Sequence, residues 1–229
     1  SIPYRLVMTG MTIGQSVTVT LAYNTKHSDK HGLDYLTHFD RLVPHCFDNH
    51  SQPEIINPLS GLNLISPTLS TFPIPEPDGI NGPVPGQPEA SFNALPSGER
   101  LMSIYNGTIS SMSYALQQPL NTNISESQIS ITFVSSASTV VLAWGGHIAS
   151  RNDWGFDANG EPRSAQGING SPYHMSLVNW SIGSLGNTDK SLQAAAVKSP
   201  PSCAISGSTL VCGNVLSTYS ASSDAYTVF

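Results

Sequence analysis

Val140, Val141, Leu142, Ala143 and Trp144 form an uninterrupted apolar run, and no other feature limits the possible folds of this chain as much. A run this short, rich in β-branched and aromatic residues, reads as a strand covered on both faces. The Gly145-Gly146 pair after it reads as the stop. Such a strand needs a layer on each side and belongs inside a sandwich of sheets. Immediately beyond it, His147, Arg151, Asp153 and Trp154 crowd polar and aromatic chemistry around the glycines.

The rest of the chain agrees with an all-β sandwich or jelly roll. Val17, Val19, Leu21 and Tyr23 alternate with Ser16, Thr18, Thr20 and Ala22, the period of two expected when one sheet face meets a core and the other meets water. Ile129, Ile131 and Phe133 alternate in the same way with Ser130 and Thr132. Further strands are predicted over 3–9, 100–105, 109–116 and 173–182, and 191–197 reads as a last strand or a short helical turn. No convincing amphipathic helix interrupts the series, which is the signature of a two-sheet architecture.

Residues 51–98 differ in texture, carrying ten of the seventeen prolines. Proline fixes φ and cannot donate to a ladder, so this stretch is predicted to be a long ordered arm, largely extended, lying on its own domain or on a neighbour. Ile74, Ile80 and Val84 give it apolar teeth.

Charged residues make up 10% of the chain and the formal net charge is -6. That excludes a cationic surface for nucleic acid. No stretch approaches the eighteen or so apolar residues of a membrane helix and no leader precedes Ser1, so the chain reads as a mature soluble product without membrane insertion. Cys203 and Cys212 have a spacing that suits a hairpin or adjacent strands, and a disulfide between them would fit an oxidising compartment. Cys46 is left as a buried thiol or a partner for another chain.

Three stretches, IPYRLVMTGMTIGQSVTVTLAYNTKHSDKHGLDYL, VVLAWGGHIASRNDWG and GSPYHM, resemble a β-domain that recurs in large secreted and cell-surface proteins of bacteria, many of them built from serial immunoglobulin-like modules. The resemblance spans most of residues 2–197 and implies an extracellular structural role. It also draws attention to His31, Asp34, His147, Arg151, Asp153 and His174, which match its recurring words and could converge on a small polar centre. Such a centre is either a buried hydrogen-bond network that orients loops or a ligand site, because buried His, Asp and Arg must be paired.

Other candidates come from the residues themselves. Asp153, Asp157, Asn159 and Glu161 offer hard oxygens suited to calcium, although Asn159-Gly160 is also a hairpin turn signal. No other cofactor is expected. His27 and His31 read as solvated loop histidines. Asn106 and Asn123 head glycosylation sequons beside predicted turns. There is no GxSxG elbow, HExxH or phosphate-cradling glycine loop, so no enzyme activity is expected.

After Pro200-Pro201 the chain resembles the first strands of an immunoglobulin-like module, and about thirty residues cannot close a sandwich of roughly a hundred. The organisation predicted is a sandwich domain over 1–198 and a strand-forming tail over 199–229. Val211, Val215, Leu216, Tyr219, Tyr226, Val228 and Phe229 equip the tail to add strands to a sheet edge of an identical subunit, or it folds back on its own domain. The predicted function is a structural subunit of an extracellular filament or surface assembly that polymerises by strand addition. The alternative is a carbohydrate-binding or adhesion module of a secreted multidomain protein, with glycans as partners and Trp154 as the one tryptophan placed to face solvent.

Overall fold

A computed structural model describes residues 1–41, 56–168, 173–184, 188–192, 202–206 and 209–213. The strands are β1 (Ile2–Thr9), β2 (Ser16–His27), β3 (Lys30–His31), β4 (Leu33–Thr37), β5 (Leu69–Pro73), β6 (Leu101–Tyr105), β7 (Gly107–Gln117), β8 (Ser125–Ser135), β9 (Thr139–Ile148), β10 (Tyr173–Trp180), β11 (Lys190–Leu192), β12 (Ser202–Ser206) and β13 (Thr209–Gly213). Two short helices, α1 (Glu89–Asn93) and α2 (Arg151–Trp154), stand between them.

Two antiparallel sheets make the sandwich. One runs β1-β9-β6-β5, with β4 also paired to β9, and the other runs β11-β10-β2-β8-β7, with β3 extending β2. β1 covers one edge of β9 from Thr139 to Gly146, so β6 and β4 share the opposite edge end to end. The inward residues predicted for β2 and β8, from Val17 to Tyr23 and from Ile129 to Phe133, are all buried and meet Met102, Ile104, Leu142 and Trp144 in one core. Both sheets present apolar alternation to this layer, which explains why each forms.

Gly145 and Gly146 do not stop β9, which passes through them to Ile148. Their function is close approach: a Cβ at Gly145 would sit 2.4 Å from Thr37 Oγ1 and 2.7 Å from the His38 carbonyl. Any side chain there would push β4 away.

The described part of the arm, 56–98, lies on its own domain and is less extended than its prolines imply. β5 adds to β6 as an edge strand, and Ile74, Phe92 of α1 and Leu95 are buried in the core. At Asn106, with φ 60°, the chain turns from the first sheet into the second. The Asn106 Nδ2 donates to the Thr139 carbonyl at 3.0 Å, and its Oδ1 accepts the Thr68 N–H at 3.1 Å. That side chain is consumed by the corner and buried, so it does not present a glycosylation site, whereas Asn123 lies exposed in a turn.

Among the described residues the tail contributes β12 and β13, which pair with each other as a separate two-stranded sheet. Their register sets Cys203 directly opposite Cys212. Cys46 and the tail residues Val215, Leu216, Tyr219, Tyr226, Val228 and Phe229 lie outside the described residues. No helix among the described residues is long and apolar enough to cross a membrane.

Candidate functional site

The polar centre forms where β3, β4, β9 and α2 meet, and a defect in strand pairing creates it. Leu33 pairs with Ile148 and Leu36 with Gly146, so Asp34 and Tyr35 together stand opposite the single residue His147. A bulge of this kind re-aims side chains that a regular ladder would separate onto opposite faces. Here it aims both at the His147 ring. Tyr35 stacks on that imidazole with centroids 4.6 Å apart and planes 6° apart. Asp34 Oδ2 lies 3.9 Å from His147 Nε2.

α2 delivers the third group. Ser150 is its N-cap, accepting the Asp153 N–H at 3.2 Å and donating its own hydroxyl to Asp153 Oδ2 at 2.6 Å. This reciprocal arrangement starts the helix and fixes the carboxylate at the same time. Asp153 Oδ2 then faces His147 Nε2, also at 3.9 Å. Gly155, with φ 62°, ends the turn.

Trp154 is not solvent-facing but 1% exposed, which corrects the expectation drawn from its polar neighbours. Its indole N–H donates to Asp34 Oδ1 at 2.8 Å, and its ring stacks on His31 with centroids 3.4 Å apart. His31 is therefore no solvated loop histidine. The tight β2–β3 hairpin, turned by Ser28 and Asp29 at φ 50° and 62°, carries it beneath the indole. His31 also lines a cavity of about 170 Å³ with Lys26, Lys30, Asp157 and Arg163.

Burial governs the protonation of the centre. Desolvation, helped by the charge of Lys26, lowers the His31 imidazole to about 3, so the ring is neutral. Desolvation raises the Asp34 carboxyl well above its ordinary range, with the Asp153 charge adding to the rise. Desolvation lowers His147. For Asp153 burial works upward but is outweighed by the facing imidazole and the Ser150 hydroxyl, so its carboxyl stays below the usual range.

Two residues expected at the centre are elsewhere. His174 sits on the outward face of β10, where its Nδ1 lies 2.7 Å from Asp189 Oδ2. The inward residue of that pair is Tyr173, fully buried, whose hydroxyl donates to the Ala165 carbonyl. Arg151 lies over the Phe156 ring, 5.9 Å from its centroid. The calcium set does not gather either. Asp157 Oδ1 accepts the N–H groups of Asn159 and Glu161, both at 2.9 Å, as a turn residue, while Asp153 faces His147.

Tyr35, Ser150 and Trp154 are the members that sequence reasoning missed. Ser150 was readable, because Ser-x-x-Asp at the start of a polar turn is a capping signal. No known protein family, curated protein or solved structure matches the chain.

Proposed function

We propose that this chain is a non-catalytic structural subunit of an extracellular filament or surface assembly, joined to identical copies by strands of the 199–229 tail added to a sheet edge of the neighbour. The observation that carries this reading is the separate β12–β13 hairpin, paired with neither sandwich sheet among the described residues. An isolated two-stranded hairpin is marginal in water and gains most by joining a larger sheet.

Edges suited to receive it exist on the sandwich. β1 is an eight-residue edge strand bonded along one side to β9, and β7 ends the second sheet with eleven residues. Main-chain hydrogen bonds would supply affinity, and the side chains of the added strand would supply register. Because donor and acceptor surfaces differ, the contact is head-to-tail and propagates where its rotation does not close. Few charges limit repulsion between repeated copies.

A Cys203–Cys212 disulfide would clamp the donated hairpin. Directly opposed residues of an antiparallel pair have Cα atoms about 4.5–5.5 Å apart, within the reach of that bond. The carbohydrate-binding alternative loses its main support, since the tryptophan it relied on is buried under Asp34 and His31.

Deletion of residues 202–229 tests the proposal. Electron microscopy of the full chain is expected to show filaments or ordered arrays, and of the truncated chain only separate particles. Filaments that persist without the tail would remove it from the mechanism.

A further inference from the structure

We propose that Asp34, His147 and Asp153 bind one divalent transition-metal ion of the zinc class. This inference does not rest on the assembly proposed above. Among the described residues these three form the one group of His, Cys, Asp and Glu side chains whose ligand atoms all lie within 4.8 Å of one another.

Two features separate this group from an ordinary polar cluster. First, its members do not satisfy one another. At 3.9 Å both carboxylate contacts to His147 Nε2 are too long for hydrogen bonds. Asp34 Oδ2 and both ring nitrogens of His147 are buried without a hydrogen-bond partner, in residues only 4% and 7% exposed. Such orphans are few in folded proteins, and two of them, Asp34 Oδ2 and His147 Nε2, facing each other beside Asp153 call for a shared partner. Second, each ligand is already positioned by a residue that is not a ligand. The Trp154 indole binds the other oxygen of Asp34, the Ser150 hydroxyl binds Asp153, and the Tyr35 ring stacks on His147. Outer contacts of this sort orient metal ligands.

The donor set selects the ion. Two carboxylate oxygens and one imidazole nitrogen suit zinc and its neighbours, whose bonds of about 2.0–2.1 Å place adjacent ligands about 3.3 Å apart. The two 3.9 Å spacings to His147 Nε2 close to that with side-chain adjustments of a few tenths of an ångström each, and the two carboxylates lie within 4.8 Å of each other. Calcium wants six to eight oxygens, which two carboxylates and an imidazole do not supply. Three protein ligands leave a fourth position for water. A bound ion would fasten β4, β9 and α2 to one point and hold the bulge.

The test uses the full chain, stripped with a chelator and then titrated with Zn2+ by calorimetry and thermal unfolding. One ion per chain is expected, with Tm raised by about 5 °C at a hundredfold excess over Kd. Asp153→Asn, at a half-buried position where the amide oxygen can still accept from Ser150, is expected to weaken binding more than ~10-fold, the loss that even outer contacts cause. His174→Ala, remote from the centre, is expected to bind as the unaltered chain does. X-ray absorption of the zinc-loaded chain reads the ligands directly and needs no variant to fold; one imidazole among oxygens is expected. A stripped chain that takes up no Zn2+, an Asp153→Asn variant of unchanged affinity, a ligand shell without an imidazole, or a larger shift with Ca2+ than with Zn2+ would each overturn the assignment.

Discussion

Along β8 burial alternates, with Ile129, Ile131 and Phe133 in the core and Ser130 and Thr132 half-exposed, whereas along β9 every residue from Val140 to Ile148 is buried. The outward Ser130 and Thr132 of β8 stay within reach of water. β9 has no wet face, so the one polar side chain it carries past the glycines, His147, needs partners from the protein itself. The bulge in β4 and the capped turn α2 bring Asp34, Tyr35 and Asp153 around its ring, with neither carboxylate inside hydrogen-bond distance. The comparison teaches that a strand covered on both faces concentrates polar chemistry wherever it carries a polar residue, while a half-wet strand disperses it.

The largest effect that would sharpen this contrast comes from β8. Phe133 is fully buried in the central layer, and Phe133→Ala is expected to cost about 3–5 kcal/mol, from lost transfer energy plus the cavity left behind. The cost should not depend on pH between neutral and mildly acid, because Phe133 is not titratable. Urea unfolding at two pH values checks both points. A pH-dependent increment would mean that the regular side of the sandwich is coupled to the polar centre.

The centre itself should respond to acid. His31 has its pKa lowered from 6.5 to about 3 by burial, so the folded chain refuses a proton that the unfolded chain accepts. Its contribution is therefore complete above pH 6.5 and is lost progressively as the pH falls below that value. Between pH 7.5 and 5 the loss from this group is about 2 kcal/mol, from 1.36 kcal/mol per unit of pKa difference. His147, lowered by burial, adds in the same direction, while Asp34, raised by burial, opposes it. Lys26, Asp29 and Arg163 supply the charges around His31. Comparison of the chain with His31→Gln isolates the term: the variant should be less stable at neutral pH but show a shallower decline. Equal slopes would show that His31 is hydrated and not under the indole.

The regular half of this contrast was legible in the sequence. Val17 to Tyr23 and Ile129 to Phe133 announce their faces because water on one side enforces the period of two. The polar half was legible only as a set of words. Asp34, His147 and Asp153 were identified, yet Trp154 was assigned to solvent because its local neighbours are polar, and what buries it is His31, brought by a hairpin far away in sequence. The GSPYHM wording points to His174, because a short motif does not reveal which of two adjacent strand residues faces inward. The pairing of Asp34 and Tyr35 against one histidine depends on a register shift that no local pattern encodes. Gly145-Gly146 reads as a terminator in isolation and becomes a contact surface only once β4 is laid against it.

The smallest difference discriminates most finely between the two strands, since it compares one hydroxyl with another. Ser150 caps α2 and holds Asp153, so Ser150→Ala is expected to cost about 1 kcal/mol, the usual loss for an N-cap. Ser130 on the outer face of β8 shares a 3.0 Å hydroxyl contact with Thr20, and water can replace it there. Ser130→Ala should therefore change stability by less than about 0.5 kcal/mol, as surface substitutions do. Denaturant midpoints of the two variants, measured side by side with unchanged m-values, give the comparison directly. If Ser130→Ala proves as costly as Ser150→Ala, the hydroxyl ladder across β2 and β8 is itself structural, and polar stabilisation in this sandwich does not belong to the two-sided strand alone.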